Sequence, residues 1–228
     1  KKELNYIIQN NIPQTKELFD EWSLLQNGLP NPQARNNSSV DPLLTTQWNQ
    51  GYNNENEGYN QLCPPNSITG CTATAMAQIM NYWEHPIQGT GFHSYNENDY
   101  GTLSANFGAT TYDWNSMPNY SANNAVATLM YHCGVSVEMN YTPFNQSGAA
   151  ILSFDLTWLD NLLGIPQNPS AENALKTFFK YKESIDGIMK SEFSTTEWIN
   201  VFKQELNNNR PILHAGYGIN QGEPSGHA

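Results

Sequence analysis

The sequence is poor in basic residues. Ten lysine and arginine side chains stand against 21 aspartate and glutamate side chains in 228 residues, which gives a formal net charge of −11. Binding to nucleic acid requires a basic face that neutralises phosphates, and binding to an anionic membrane surface has the same requirement. Both classes of partner are therefore disfavoured, and we expect the acidic charge to support solubility.

Long apolar runs and common ligand-binding motifs are also missing. No apolar run approaches the roughly 20 residues that a membrane-spanning helix requires, so we expect no transmembrane segment. The sequence contains no Cys-x-x-Cys or His-x-x-x-His pair for a metal ion. It also lacks the Gly-x-x-x-x-Gly-Lys motif that cradles phosphates. We therefore expect a chemistry that uses neither a metal nor an organic cofactor.

Cysteine is scarce, with three residues at Cys63, Cys71 and Cys133. An odd and small number argues against a disulfide scaffold. A Cys63–Cys133 bridge and a pair of buried, inert cysteines are both compatible with the sequence, and we favour the second interpretation. In either case Cys71 is left as a free thiol.

The chain is long enough for one domain with an appendage. Residues 1–29 have the pattern of short helices, and the Asn- and Ser-rich residues 30–41 are typical of a polar linker. A central, buried helix is predicted over residues 71–83, because its small and apolar side chains fall on one face. Further helices are predicted at 123–133 (ended by Gly134), 171–180 and 195–208, and strands at 135–139 and 211–217. This mixture indicates an α+β fold.

A reactive cysteine is the chemistry that the sequence indicates most directly. Gly70 and Cys71 open the predicted helix, whose residues run Thr72-Ala73-Thr74-Ala75-Met76-Ala77-Gln78-Ile79-Met80. The start of a helix carries a partial positive charge and unpaired N–H groups, both of which stabilise a thiolate. Since the thiolate is the nucleophilic form of cysteine, Cys71 is the candidate nucleophile.

A thiol nucleophile needs a histidine partner and a group that stabilises an oxyanion. Among the five histidines, the residues favour His227, which follows a Ser-Gly turn, over His214, which lies in an apolar predicted strand. The Cys71 N–H is one oxyanion donor. A side-chain amide from Gln47, Gln50 or Gln61 is a candidate for the second, and nothing local separates these three.

These residues resemble the streptopain family, which are bacterial papain-like cysteine peptidases. The resemblance covers most of residues 40–228, and its most specific motif is the helix that begins at Cys71. The segments that carry it are Trp48-Asn49-Gln50-Gly51-Tyr52-Asn53, Thr69-Gly70-Cys71, Ala73-Thr74-Ala75, Ala77-Gln78-Ile79-Met80, Gly134-Val135-Ser136-Val137-Glu138-Met139, Phe193-Ser194, Trp198, Glu205-Leu206, Arg210-Pro211-Ile212 and Gly226-His227-Ala228.

The resemblance implies a papain-like fold, with a helical half that carries the cysteine and an antiparallel, β-barrel-like half that carries the histidine. It implies that Cys71, His227 and Gln50 are the catalytic residues, with Gln50 supplying the oxyanion amide. It also implies that residues near Gln146 bind peptide, and the candidates are Ser147, Gly148 and Ala149. The expected partners are protein or peptide substrates.

The resemblance further implies a bacterial protein that is secreted or held at the cell surface as a zymogen. Residues 1–38 would be the C-terminal part of an inhibitory propeptide with its linker, and residues 39–228 the peptidase domain. The family continues with more strands after the histidine, so we expect the barrel half to be incomplete here. Residues 151–170 look longer than the family's loop and have no functional interpretation.

Two other functions remain open from the sequence. The first alternative is a non-catalytic module with the same fold, which would hold a peptide or a glycan with aromatic loops. The second is a different thiol chemistry, such as amidase or transpeptidase activity on cell-wall peptides.

Overall fold

The computed structural model describes residues 39–50, 58–142, 147–152, 169–220 and 223–228. The chain divides into two units, Lys1–Asp41 and Pro42–Ala228. The first unit lies almost entirely outside the described residues, as do the helices expected in residues 1–29 and most of the apolar segment 151–170. The description below therefore concerns the second unit.

Two helices of 13 residues each form the centre of the molecule. Helix α1 spans Cys71–Trp83, as predicted from its apolar face, and helix α2 spans Asn124–Ser136. They pack against each other, and the Cys133 Sγ lies 3.6 Å from the Met80 Sδ at their contact. The side chains of α1 that face this core are completely buried, namely Ala73, Met76, Ala77 and Met80.

A short hairpin and several turns follow α1. Strands β1 (His93–Glu97) and β2 (Gly101–Ala105) pair antiparallel, with His93 opposite Ala105. Helix α2 contacts both strands. Single 3₁₀ turns lie at Gly58–Asn60, Phe107–Ala109, Trp114–Ser116 and Lys190–Glu192.

The C-terminal part combines two helices with a second hairpin. Helix α3 spans Ala171–Thr177 and packs on α1 and α2. Helix α4 spans Thr195–Asn207, and its start is fixed by a reciprocal capping box between Ser194 and Glu197. Strands β3 (Gly216–Asn220) and β4 (Glu223–His227) pair antiparallel, with Gly216 opposite His227.

The predicted strand at 135–139 is wrong, because α2 continues through Gly134 to Ser136. Gly134 does not end the helix. It is present because a Cβ atom there would overlap the Tyr141 hydroxyl oxygen, so its role is close packing. The chain turns only after the helix, where Glu138 adopts a left-handed conformation with φ 48°.

The predicted strand at 211–217 is also shifted. Strand β3 begins at Gly216, because its backbone partner β4 reaches only from Glu223 to His227. His214 therefore precedes the strand, and His227 is the last residue of β4. Among the described residues, no helix is both long and apolar enough to cross a membrane.

Candidate active site

Gly70 shapes the turn that leads into α1. Its backbone adopts φ 84° and ψ 149°, a left-handed region in which side chains are strained. A Cβ at this position would also lie 2.7 Å from the Met139 Sδ and 3.2 Å from the Ser147 carbonyl oxygen. Conformation and space both require glycine here, and the turn presents the next residue, Cys71, at the first position of the helix.

No acidic side chain lies in the first turn of α1, where Cys71 is the first residue. Gly70, which precedes the helix, has no side chain that could cap it. The N–H groups of the first turn have no acceptor within the helix and carry the positive end of its dipole. A negative charge on the Cys71 sulfur would therefore lie in a favourable field.

Cys71 differs from the other two cysteines in exposure. All three are free, but Cys63 and Cys133 are buried and Cys71 is half-buried. The predicted inert pair is therefore confirmed, and the alternative bridge is not formed. Burial raises the pKa of the Cys63 thiol to about 12 and raises that of Cys133 as well. Both thiols stay protonated at neutral pH, so Cys71 is the accessible thiol of the native protein.

Asn60 holds the chain that leads into the turn, a role that no sequence pattern predicted. Its side chain is buried, and its Oδ1 accepts a hydrogen bond of 3.0 Å from the Thr69 backbone N–H. From inside the helix, the Thr74 hydroxyl donates to the Gly70 carbonyl at 3.0 Å. A buried asparagine in a polar loop carries no local signal of this contact, because its partner lies nine residues away.

The segment that precedes Gln50 is bonded to α1 at Gln78. The Thr46 hydroxyl donates to the Gln78 Oε1 at 3.1 Å, and the Trp48 Nε1 donates to the Pro118 carbonyl at 2.7 Å. Gln78 lies seven residues after Cys71, which is two helical turns and about 10 Å along the same face. Four extended residues span up to about 14 Å, so Gln50 is within reach of the start of the helix.

The contacts of Gln61 distinguish it from Gln50 as a candidate for the oxyanion amide. The Gln61 Nε2 lies 3.4 Å from the Asn124 Oδ1 on α2, so this amide is directed at a different helix. Gln50 is half-buried. Among the described residues, no hydrogen bond joins Gln50 to Cys71, so its role in an oxyanion site stays a prediction.

The candidate peptide-binding residues lie in a segment that crosses the start of α1. Gly148 exchanges backbone hydrogen bonds with Asn140 at 3.0 and 3.3 Å, and the Ala149 carbonyl accepts from the Thr72 hydroxyl at 3.0 Å. Ser147 is buried, and its hydroxyl has no partner among the described residues. Gly148 and Ala149 are half-exposed, so they are the members of the group that a peptide could contact.

Four of the five histidines have structural partners. His85 lies 3.2 Å from the Lys180 carbonyl, and the His93 Nε2 lies 3.0 Å from the Glu138 Oε1. His132 is buried against Tyr112. His214 is exposed and contacts the rings of two aromatic residues on α4, Trp198 and Phe202.

His227 is different from these four. It is exposed at the end of β4, and the described residues provide its ring with no hydrogen-bond or ring partner. The described residues also place no hydrogen bond between His227 and Cys71. The pairing of these two side chains therefore stays a prediction. Within the described ranges, no group of three or more His, Cys, Asp or Glu side chains could hold a metal ion.

Comparison with known proteins finds a family model and several relatives that match this sequence. A sequence model of the Peptidase C10 family matches residues 48–228. The thiol protease/hemagglutinin PrtT of Porphyromonas gingivalis is 32% identical over 202 residues, which is 78% of this chain and 20% of that protein. Streptopain of Streptococcus pyogenes is 32% identical over 166 residues, which is 67% of this chain and 37% of that protein. The chain thus spans between a fifth and about two fifths of the length of these relatives.

Two solved structures share the fold. Active wild-type interpain A, a cysteine protease of Prevotella intermedia, superposes with a TM-score of 0.67 at 34% identity and covers 82% of this chain and 74% of its own. A prointerpain A fragment from the same organism gives a TM-score of 0.61 at 29% identity over 92% of this chain and 68% of its own. The papain-like α+β fold expected from the sequence is confirmed by these similarities.

Proposed function

Because the chain belongs to the Peptidase C10 family, a family of cysteine peptidases of the streptopain type, we propose that the protein is a cysteine endopeptidase with Cys71 as its nucleophile. The observation that carries the proposal is the setting of Cys71, a half-exposed free thiol at the uncapped start of α1. The other two thiols are buried and protonated.

In the first half of the proposed reaction, His227 takes the thiol proton and the Cys71 sulfur attacks the carbonyl carbon of a peptide bond. The carbonyl oxygen becomes an oxyanion, which the Cys71 N–H and the Gln50 side-chain amide stabilise. The C–N bond then breaks, His227 gives its proton to the leaving amine, and the acyl group remains on Cys71 as a thioester.

In the second half, His227 takes a proton from water, which attacks the thioester carbon. The C–S bond breaks, the carboxylic acid leaves, and His227 returns the proton to the sulfur, which restores the Cys71 thiol. The positioning of the peptide is assigned to the backbone of Ser147, Gly148 and Ala149, next to the nucleophile. Two facts support His227 as the proton carrier: its exposure and the absence of any partner for its ring among the described residues.

Latency is part of the same proposal. Residues 1–38 would act as the end of an inhibitory propeptide, and the protein would leave a bacterial cell as a precursor. Support comes from the prointerpain A fragment, which covers 92% of this chain, against 82% for the active enzyme.

The decisive experiment is an alkylation titration. The protein is treated with iodoacetamide from pH 5 to pH 8, before and after proteolytic removal of residues 1–38, and the modified cysteine is located by mass spectrometry. We expect fast labelling of Cys71 at pH 5 that is lost in His227→Ala, and peptide cleavage that is lost in Cys71→Ala. His214→Ala is the matched control, and it should keep the fast labelling.

Other outcomes would reject parts of the proposal. Slow labelling of Cys71 at every pH, with residues 1–38 removed, would favour a binding module without catalysis. Cleavage of peptidoglycan fragments in place of casein would indicate the cell-wall chemistry. Full peptide cleavage by Cys71→Ala would remove Cys71 as the nucleophile.

A further inference from the structure

Thr72, the residue after the nucleophile, makes a contact that no motif predicts. Its hydroxyl donates a 3.0 Å hydrogen bond to the Ala149 carbonyl, 77 positions along the chain. The Thr72 side chain is 1% exposed, whereas Cys71 is half-buried. Consecutive helical residues point about 100° apart, so one side chain is directed at the protein interior while its neighbour is directed towards the surface.

Most attachments of the segment 147–152 do not involve the nucleophile helix. Gly148 is held by the backbone of Asn140. The carbonyls of residues 150 and 151 accept hydrogen bonds of 3.1 and 3.0 Å from the first N–H groups of α3. These bonds fix the segment to the turn after α2 and to α3, and none of them joins it directly to α1.

Two contacts bring the same segment against the start of α1. At Gly70 the backbone approaches the Ser147 carbonyl so closely that a Cβ would lie 3.2 Å from it. At Thr72 the hydroxyl bonds to Ala149. Among the described residues, the Thr72 bond is the only side-chain hydrogen bond that joins α1 to residues 147–152.

From this arrangement we infer that Thr72 is a positioning residue, which holds the peptide-binding segment at Ser147–Ala149 against the start of α1. The inference rests on the proposed function. Thr72 is buried and does not touch substrate. The Thr72 hydroxyl holds the segment on which the peptide would lie. Loss of this hydroxyl should therefore weaken peptide binding, while the Cys71 thiol stays equally reactive.

The test compares Thr72→Val, which has the same shape without the hydroxyl, with Thr72→Ser, which keeps the hydroxyl. A single hydrogen bond is worth a factor of about 3 to 10 in an equilibrium constant. We expect Thr72→Val to raise KM for a peptide substrate about 3- to 10-fold while kcat changes less than about twofold. Thr72→Ser should restore the wild-type KM.

Two controls separate positioning from general damage. Iodoacetamide needs no peptide-binding segment, so its rate of reaction with Cys71 should be the same in Thr72→Val and wild type. Thr110→Val removes a similar hydroxyl-to-carbonyl bond, 2.8 Å to Asn106, in the turn after β2, whose backbone is bonded to Gly91. It should leave KM unchanged.

The outcomes distinguish this inference from the proposed function. Slow iodoacetamide reaction in the wild type after removal of residues 1–38 would overturn the proposed function itself. An active wild type with an unchanged KM in Thr72→Val would overturn only the positioning role. If Thr72→Val lost alkylation rate and kcat to the same extent, the positioning role would also be overturned, because such losses would show damage to the nucleophile. If Thr72→Val does not fold, a raised KM in Thr72→Ser would still refute the inference.

Discussion

His132 is expected to make the protein acid-labile. It lies in α2 with 8% of its surface exposed, and its Nδ1 is 2.9 Å from the Tyr112 hydroxyl oxygen. The rings of Phe107 and Tyr112 meet the imidazole edge-on at 5.4 and 5.8 Å. Burial among these rings lowers the pKa of His132 from 6.5 to about 4, because the charged imidazolium would lose its hydration.

The size and sign of the effect follow from proton linkage. Above pH 6.5 the imidazole is neutral in both the folded and the unfolded chain, so it contributes no pH dependence. Between pH 6.5 and 4 the unfolded chain binds the proton and the folded chain does not, so stability falls as the pH falls. A pKa difference of about 2.5 between the two states corresponds to about 3 kcal/mol lost by pH 4.

Urea unfolding at a series of pH values, followed by tryptophan fluorescence, measures this loss. The comparison is with His132→Gln, which is neutral at every pH and can still accept a hydrogen bond from Tyr112. We expect the variant to lose about 3 kcal/mol less than the wild type between pH 7 and pH 4. The matched control His214→Gln, at an exposed position, should follow the wild type.

Parallel stability curves for the wild type and His132→Gln would refute the reasoning, because they would show that the folded protein accepts the proton at His132 without penalty. The result also bears on the alkylation titration. Its pH 5 measurement lies within the window in which His132 destabilises the fold, so faster labelling there must be accompanied by evidence that α2 remains folded.

Two further substitutions test the packing around the site. Gly134→Ala should destabilise the protein by about 1 to 3 kcal/mol, because the new Cβ overlaps the hydroxyl of the fully buried Tyr141; the loss should shrink in a Tyr141→Phe background, and equal losses in both backgrounds would contradict the overlap. Ser147→Ala should stabilise the protein by about 1 kcal/mol with an unchanged KM, because it removes a buried hydroxyl that has no partner among the described residues. A raised KM in that variant would instead assign the Ser147 hydroxyl to peptide binding.

The parts of the fold that the sequence predicted well are those set by local signals. Helix α1 was predicted at its observed limits, because its small and apolar face repeats with the helical period. Helix α4 was predicted within a residue of its observed end. Both helices are specified by side chains that lie within about four residues of one another in the sequence.

The errors share a different cause. Gly134 has the local signature of a helix end, but its role depends on the position of Tyr141, seven residues later and beyond the end of the helix. The alternating residues that follow it resemble a strand, yet the first two of them belong to the helix. In the same way, β3 begins only where β4 supplies a partner. In each case a tertiary contact determines where the helix ends or the strand begins, and the local sequence does not predict that contact.

The same distinction applies to the candidate site. The nucleophile was predicted from three adjacent features, Gly70, Cys71 and the helix, all of which are local. The contacts that hold its surroundings in place join residues distant in sequence: the Thr69 N–H donates to Asn60 from nine positions away, and the Thr72 hydroxyl donates to Ala149 from 77 positions away. The motif therefore predicts the reacting atom, while the geometry of that atom relative to a substrate depends on contacts with distant parts of the chain. Substitutions at Asn60 and Thr72 consequently test that geometry, which a change at Cys71 itself does not.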